Sequence, residues 1–270
     1  MAIGERPIDT RQVNGWPKVL YGHRGAARER PENTLVSFER AVEAGADAIE
    51  TDVHVTRDGA LVLAHDETGA RMAGDPRAIR DVSLDEIARW DVGWGFIAPD
   101  GSRPFAGKGI HPPTLEEALA AFPDIPLNID IKAGDPRAVE PIIALIRRHA
   151  AEHRVRLASF DLRVIAAVRR RGYQGGTSLC RAEVALALVL PAAALRRIPE
   201  LGDAAQIPDR AAGRDLGRRR FIDKLHRAGL RVDFWTIDDP ARAGELLAQG
   251  ADGIITDDPA SIRPVFDRFA

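Results

Sequence analysis

Sulfur and lysine are scarce in this sequence: one cysteine (Cys180), two methionines and four lysines, the last against 34 arginines, in 270 residues. A single thiol excludes an intrachain disulfide, a cysteine-based metal cluster and a Cys-x-x-Cys redox pair within one chain. A net excess of either charge is missing too, with 38 basic against 40 acidic side chains. The formal net charge is -2, which removes the case for a nucleic-acid groove or a polybasic membrane patch, so a small-molecule partner is expected and no nucleic acid. Long hydrophobic runs are absent. The longest, Ala185 to Leu195, is broken by Pro191 and falls short of the roughly 20 residues a bilayer span needs, so it reads as a buried helical segment. The stretch from Met1 to Pro17 is polar and lacks the apolar core of a secretory signal. Together with the lone cysteine, this gives the expectation of a cytoplasmic protein without a membrane span.

What is present is an ordinary globular balance, 45% hydrophobic and 29% charged, arranged as an alternation. Short β-rich runs occur at Val19-Tyr21, Ala48-Val55, Leu127-Ile131, Val155-Ser159, Gly175-Ser178, Ala204-Ile207, Arg231-Thr236 and Gly253-Thr256. Helical patterns lie between them at Thr34-Ala44, Pro136-His149, Leu162-Arg171, Arg214-Ala228 and Ala241-Gln249. Asn33 and Asp161 stand where N-caps would, and Gly45, Gly172, Gly229 and Gly250 where glycines would end helices. Eight such βα units in about 250 residues predict a single domain, residues 1–270, built as a TIM-type (β/α)8 barrel, with a doubly wound open sheet as the alternative. The spacing breaks once. Residues 57–113 are rich in Gly, Pro and Asp and read as an insertion after the second strand, carrying a short strand at Leu61-Ala64 and a helix at Ser83-Trp90 and lying over the active face.

In this architecture the active site sits at the C-terminal ends of the strands, and four segments place ionisable groups there. His23 and Arg24 follow the first strand. A phosphodiester needs proton transfer at its attacking and leaving oxygens and a cation for its non-bridging oxygens, which this pair could supply; a loop-capping His beside a surface Arg is the alternative. Glu50 and Asp52 lie two apart on the second strand, so they share a face and point into the barrel together. Either hard-cation coordination or salt bridges to barrel arginines would offset that burial. His54 continues the parity and reads as a structural or rim residue. His65-Asp66, after a β-like run in the insertion, offers a second imidazole with a carboxylate to orient it. On the Leu127-Ile131 run, Asn128, Asp130 and Lys132 share one face, either as a metal carboxylate with an ammonium for phosphate or as a buried ion pair. Trp235 could wall the alcohol part of a substrate or pack in the core.

Taken in order and spacing, Gly22-His23-Arg24-Gly25, Pro31-Glu32-Asn33-Thr34, Glu50-Thr51-Asp52-Val53, Thr56-Arg57-Asp58-Gly59, His65-Asp66, Pro113-Thr114-Leu115-Glu116-Glu117 and Asn128-Ile129-Asp130-Ile131-Lys132 resemble the glycerophosphodiester phosphodiesterase family. Phe234-Trp235-Thr236 and Gly253-Ile254-Ile255-Thr256-Asp257 extend the resemblance over nearly the whole chain. It implies hydrolysis of a glycerophosphodiester to sn-glycerol 3-phosphate and an alcohol. One divalent cation, Mg2+ or Ca2+, with Mn2+ as a further candidate, would be held by Glu50, Asp52 and Asp130. His23 and His65 would form the acid-base pair, and Arg24 and Lys132 would meet the phosphate. Many members have Glu where this chain has Asp130, a side chain shorter by about 1.5 Å of reach. A second enzyme reading is lysophospholipase D activity, with a lipid tail lying on an apolar rim near Trp94, Phe96 and Phe105 that would give peripheral lipid contact. A non-catalytic phosphodiester-binding protein would need no acid-base pair.

Overall fold

The computed structural model describes residues 18–132, 134, 138–211 and 213–269; the expectation for Met1 to Pro17 falls outside them. Seven parallel strands run in the order β5-β4-β2-β1-β10-β9-β6, with β3 antiparallel to β2 and a two-stranded hairpin, β7-β8, standing apart. Their ranges are β1 Val19–His23, β2 Ala48–Val55, β3 Leu61–Leu63, β4 Leu127–Ile131, β5 Val155–Ala158, β6 Ala204–Pro208, β7 Arg210–Ala211, β8 Arg214–Asp215, β9 Arg231–Trp235 and β10 Gly253–Thr256. The expected strand at Gly175-Ser178 closes the gap between β5 and β6. It does so by two parallel bridges, Leu157 to Thr177 and Ser178 to Ala204, with Leu157 N donating to Gly176 O at 2.9 Å and Leu179 N to Ala204 O at 2.8 Å. A β-carbon on Gly175 would stand 2.5 Å from the Glu152 and Val155 carbonyls, so the chain passes there only without a side chain. The barrel is therefore closed, and the open-sheet alternative is set aside.

Helices follow the strands: α1 Leu35–Glu43, α2 Ala70–Ala73, α3 Leu84–Ile87, α4 Leu115–Ala121, α5 Val139–Arg148, α6 Leu162–Arg170, α7 Arg181–Val189, α8 Ala192–Leu195, α9 Arg219–Arg227, α10 Pro240–Ala248 and α11 Pro259–Phe266. Outward strand residues such as Ile129, Ile131 and Leu157 join Ile142, Ile146 and Val164 in one apolar layer, while Val232 and Ile254 join Leu225 and Leu246 in another. Burial of each such side chain stabilises the fold by about 1.5–3 kcal/mol. Inside the barrel the filling is partly polar. Asp233 accepts from Tyr21 Oη at 3.2 Å, Arg231 Nε at 2.7 Å and Gln206 Nε2 at 3.3 Å.

Several local expectations need correction. Asn33 is not the N-cap of α1: Thr34 is, its side chain accepting from Ser37 N. Asp161 caps α6 as expected, and Gly45, Gly172, Gly229 and Gly250 all adopt positive φ. The expected helix at Arg214-Ala228 begins only at Arg219, because Arg214 and Asp215 are taken by the β7-β8 hairpin. The Ala185 to Leu195 run is helical but divided at Pro191, and it is not fully buried, Val189 being 74% exposed. Within the 57–113 insertion, β3 pairs with the end of β2 through Val53-Leu63, His54-Val62 and Val55-Leu61, and Leu63 N donates to Pro113 O at 2.8 Å. Ser83 caps α3 with a capping box through Glu86. The insertion is thus anchored at the C-terminal end of β2.

Candidate active site

His23 ends β1, and the chain must turn immediately to reach α1. Arg24 and Gly25 adopt positive φ, 53° and 88°, and a β-carbon on Gly22 would stand 2.6 Å from the Gly25 carbonyl. The turn is fastened by Arg24 O, which accepts from Asn33 N at 3.0 Å and Ser37 Oγ at 3.1 Å. Parallel pairing then sets the rest in register: Glu50 beside His23, Asn128 beside Glu50, and Asp130 beside Asp52. His65 follows β3, and its backbone carbonyl lies 3.2 Å from His54 Nε2. His54 is buried, and its imidazole is held below its ordinary value by that burial; it supports the segment that carries His65.

The eight residues expected to form the site, His23, Arg24, Glu50, Asp52, His65, Asp130, Lys132 and Trp235, line one cleft, and Asn128 joins them there. The opposite wall is formed by Ser159, Phe160, Ser178, Leu179 and Gln206. Trp235 meets Phe160 edge to face, ring centres 6.2 Å apart, which makes it part of the cleft wall.

The charges are closely interlocked. Lys132 Nζ donates to Asp130 Oδ2 at 2.7 Å and lies 2.9 Å from Asp52 Oδ1. Asp52 Oδ2 accepts from Asn33 Nδ2 at 2.9 Å and stands 3.4 Å from Arg24 Nε, while the Arg24 backbone N–H donates to Glu50 Oε2 at 3.1 Å. Asp130 and Lys132 thus form an ion pair that Asp52 shares. Burial would raise Asp52, but the Lys132 and Arg24 cations outweigh it and hold the carboxyl below its usual range. Burial and the Asp52 charge instead push Glu50 up to about 7, and burial also raises Asp130. Lys132 is held above its ordinary value by the two aspartates against the cost of burial. Burial lowers the proton affinity of His23, but the Asp257 hydrogen bond and the Glu50 charge outweigh it, and the imidazole titrates above its ordinary value.

Three residues of this site were not assigned its roles from sequence. Asp257, directly after β10, accepts from His23 Nδ1 at 2.6 Å; an ionised carboxylate can only accept, which places the proton on Nδ1 and turns Nε2 toward the cleft. Asn33, read as a cap, instead bridges Asp52 and Thr51, whose Oγ1 donates to Asn33 Oδ1 at 2.6 Å. Glu32, noted only within a motif, accepts from Arg24 at 2.9 Å.

The model of the glycerophosphoryl diester phosphodiesterase family matches residues 23–261. The chain belongs to that family. A glycerophosphodiester phosphodiesterase of Caldanaerobacter subterraneus is 33% identical over 262 residues, covering 90% of this chain and 96% of that one. The crystal structure of a Silicibacter pomeroyi protein assigned as a glycerophosphoryl diester phosphodiesterase superposes with a TM-score of 0.76 at 27% identity, covering 95% and 96% of the two chains. An Oleispira antarctica phosphodiesterase, solved with the product sn-glycerol-3-phosphate, shares the fold with a TM-score of 0.75 at 21% identity over 93% and 97%.

The divalent cation general to glycerophosphodiester phosphodiesterases raises the question whether these residues fit one. Among the described residues no three acidic or imidazole side chains close on a common point, because Lys132 stands between Asp52 and Asp130. The donor set nevertheless fits a hard cation. It consists of carboxylate and amide oxygens, and Asp130 Oδ1 and Asn128 Oδ1 are buried without a hydrogen-bond partner. Elsewhere on the family fold, Trp94, Phe96 and Phe105 of the expected apolar rim do not line the cleft. Phe96 and Phe105 pack edge to face at 5.1 Å, and Arg30 and Arg103 cover Phe105 and Trp94. No helix among the described residues is long and apolar enough to cross a membrane.

Proposed function

We propose that this chain, acting as one barrel domain, hydrolyses glycerophosphodiesters to sn-glycerol 3-phosphate and an alcohol by histidine acid-base catalysis. The observation that carries the reading is the meeting of His23 and His65 with Arg24 and Lys132 in one cleft; the activity named for the Caldanaerobacter relative and the product in the Oleispira structure support it.

His23 Nε2 takes the proton of the nucleophile, the glycerol 2-hydroxyl or water, as its oxygen bonds to phosphorus; where the 2-hydroxyl attacks, the cyclic phosphodiester so formed is opened by water in a second step, in which His65 takes the proton of the water and His23 returns one to the 2-oxygen. Asp257 stabilises the imidazolium that forms, in the manner of an acid-base dyad. His65 gives a proton to the leaving oxygen as its bond to phosphorus breaks, and Asp66, which accepts from His65 Nδ1 at 2.8 Å, keeps the ring oriented. Arg24 and Lys132 meet the non-bridging oxygens, where negative charge grows. Glu50, Asp52 and Asp130 would hold the cation, Mg2+, Ca2+ or Mn2+, which when bound would stabilise charge on phosphate oxygen. The shorter reach of Asp130 is compatible with that role because its Oδ1 is free of other bonds. A lyso-lipid substrate has less support, since none of Trp94, Phe96 and Phe105 lines the cleft.

The test is a metal-supplemented screen of glycerophosphodiesters with the products identified. Release of sn-glycerol 3-phosphate, lost in chelator and restored by Mg2+, Ca2+ or Mn2+, is the expected result. No turnover of any diester with each metal in excess would overturn the reading, and full turnover after verified metal removal would overturn its metal dependence.

A further inference from the structure

Arg71 belongs to none of the motifs above, yet it bonds to residues of two of them, Glu32 and Asp66. It is carried by α2, a single helical turn of the insertion. Its Nη1 and Nη2 donate to Glu32 Oε2 at 2.9 Å and Glu32 Oε1 at 2.6 Å, and its Nε donates to Asp66 Oδ2 at 2.6 Å. Glu32 holds Arg24, and Asp66 holds His65. A continuous chain of hydrogen bonds therefore runs from Arg24 through Glu32, Arg71 and Asp66 to His65. It joins a turn of the barrel to a loop of the insertion.

The fork geometry suits arginine alone. Two parallel bonds to one carboxylate and a third to another need a planar guanidinium, and an ammonium would lose at least one of them. Backbone packing fixes where the fork is carried. A β-carbon on Gly95 would stand 2.4 Å from Met72 Cα, and one on Gly69 2.9 Å from the Trp90 ring, so α2 is held tightly against the rest of the insertion. Burial would raise Glu32, but the bonds from Arg71 and Arg24 outweigh it and keep the carboxyl below its usual range. Asp66 is likewise held low by Arg71 and His65 against burial. Both carboxylates thus stay ionised as acceptors.

We infer that Arg71 is a positioning residue for the proposed reaction: by clamping Asp66 to Glu32 it fixes the orientation of the His65 imidazole relative to Arg24. An exposed ion pair would be worth little, but a three-bond clamp between two site carboxylates acts on geometry, and a misplacement of about 1 Å can cost on the order of 10²-fold in rate.

The inference rests on the proposed diesterase activity, so its test has one arm that does not. Long-range 1H–15N spectra of the folded chain should show His65 as the single Nδ1–H tautomer in its neutral form. Arg71→Met should give a mixture of tautomers, and Arg71→Lys an intermediate one. In the kinetic arm, Arg71→Met should lower kcat by roughly 10²-fold with KM changed by less than about threefold. Added guanidinium should restore part of kcat to Arg71→Ala, since the side chain is 46% exposed. In a His65→Ala background the same change should cost little more, because residues acting as one unit are not additive. An unchanged His65 tautomer in Arg71→Met and Arg71→Lys would overturn the inference, as would full multiplicative loss in the double variant. If the wild-type chain turns over no diester, the activity reading fails while the spectra still decide the orientation of His65.

Discussion

His23 at the end of β1 and Asp257 just beyond β10 are 234 residues apart in sequence and 2.6 Å apart between Nδ1 and Oδ1. The contact exists because β1 and β10 are neighbours in the closed barrel, Gly22 paired with Thr256. Asp257 itself is held by its backbone N–H, which donates to Asp238 Oδ1 at 2.8 Å. The carboxylate thus selects one His23 tautomer and stabilises its protonated form.

Asp257→Asn keeps the shape but can present an N–H to Nδ1 and so reverse the tautomer. It should lower kcat by roughly 10²-fold or more, with little change in metal affinity. Steady-state kinetics at saturating metal, with calorimetric metal titration, check this. A variant with wild-type kcat would remove Asp257 from the mechanism.

The turn after β1 gives a stability expectation. Gly22→Ala places a β-carbon 2.6 Å from the Gly25 carbonyl and 2.7 Å from Ala41 Cβ. Overpacking of this kind costs about 1–3 kcal/mol, and urea denaturation of the two proteins should show it as a lower midpoint at unchanged slope. Equal midpoints would contradict the close packing of Gly22 against Gly25 and Ala41.

These two contacts mark where sequence reading ends. Strand parity was enough to gather Glu50, Asp52, Asp130 and Lys132, since period-two alternation and position at strand ends decide which side chains enter a barrel mouth. Pairing across the barrel is another matter: nothing local to Thr256-Asp257 says that it will meet His23. The cap falls on Thr34 rather than Asn33 because Asn and Thr are both good caps, and a shift of one position turns Asn33 into a partner of Asp52 with φ of 54°. The start of α9 was displaced because a two-residue hairpin strand has no periodicity to display. Parity puts Asp130 and Lys132 on one face, but that Lys132 also reaches Asp52 depends on the pairing of β2 with β4.

Away from the cleft, His226 Nε2 lies 2.8 Å from Asp252 Oδ2, and that hydrogen bond, against burial, raises its imidazole above the ordinary value. A group raised in the folded state binds its proton more tightly there than in the unfolded chain. Its contribution is fully present below the unfolded value of about 6.5 and is lost as pH rises through the folded value. The difference in Tm between wild type and His226→Gln should therefore be largest in mild acid and shrink as the solution becomes alkaline. A difference that grows with pH would contradict the assignment.

The central claim is that His23 and His65 transfer protons in the hydrolysis of a glycerophosphodiester. The most direct measurement is kcat for release of sn-glycerol 3-phosphate by wild type, His23→Ala and His65→Ala at saturating substrate and metal, with metal affinity titrated separately. Each single variant should lose roughly 10²- to 10⁴-fold in kcat with metal affinity nearly unchanged, and the double variant should lose less than the product of the two. Near wild-type kcat in both single variants, on a substrate that the wild type demonstrably cleaves, would contradict the account.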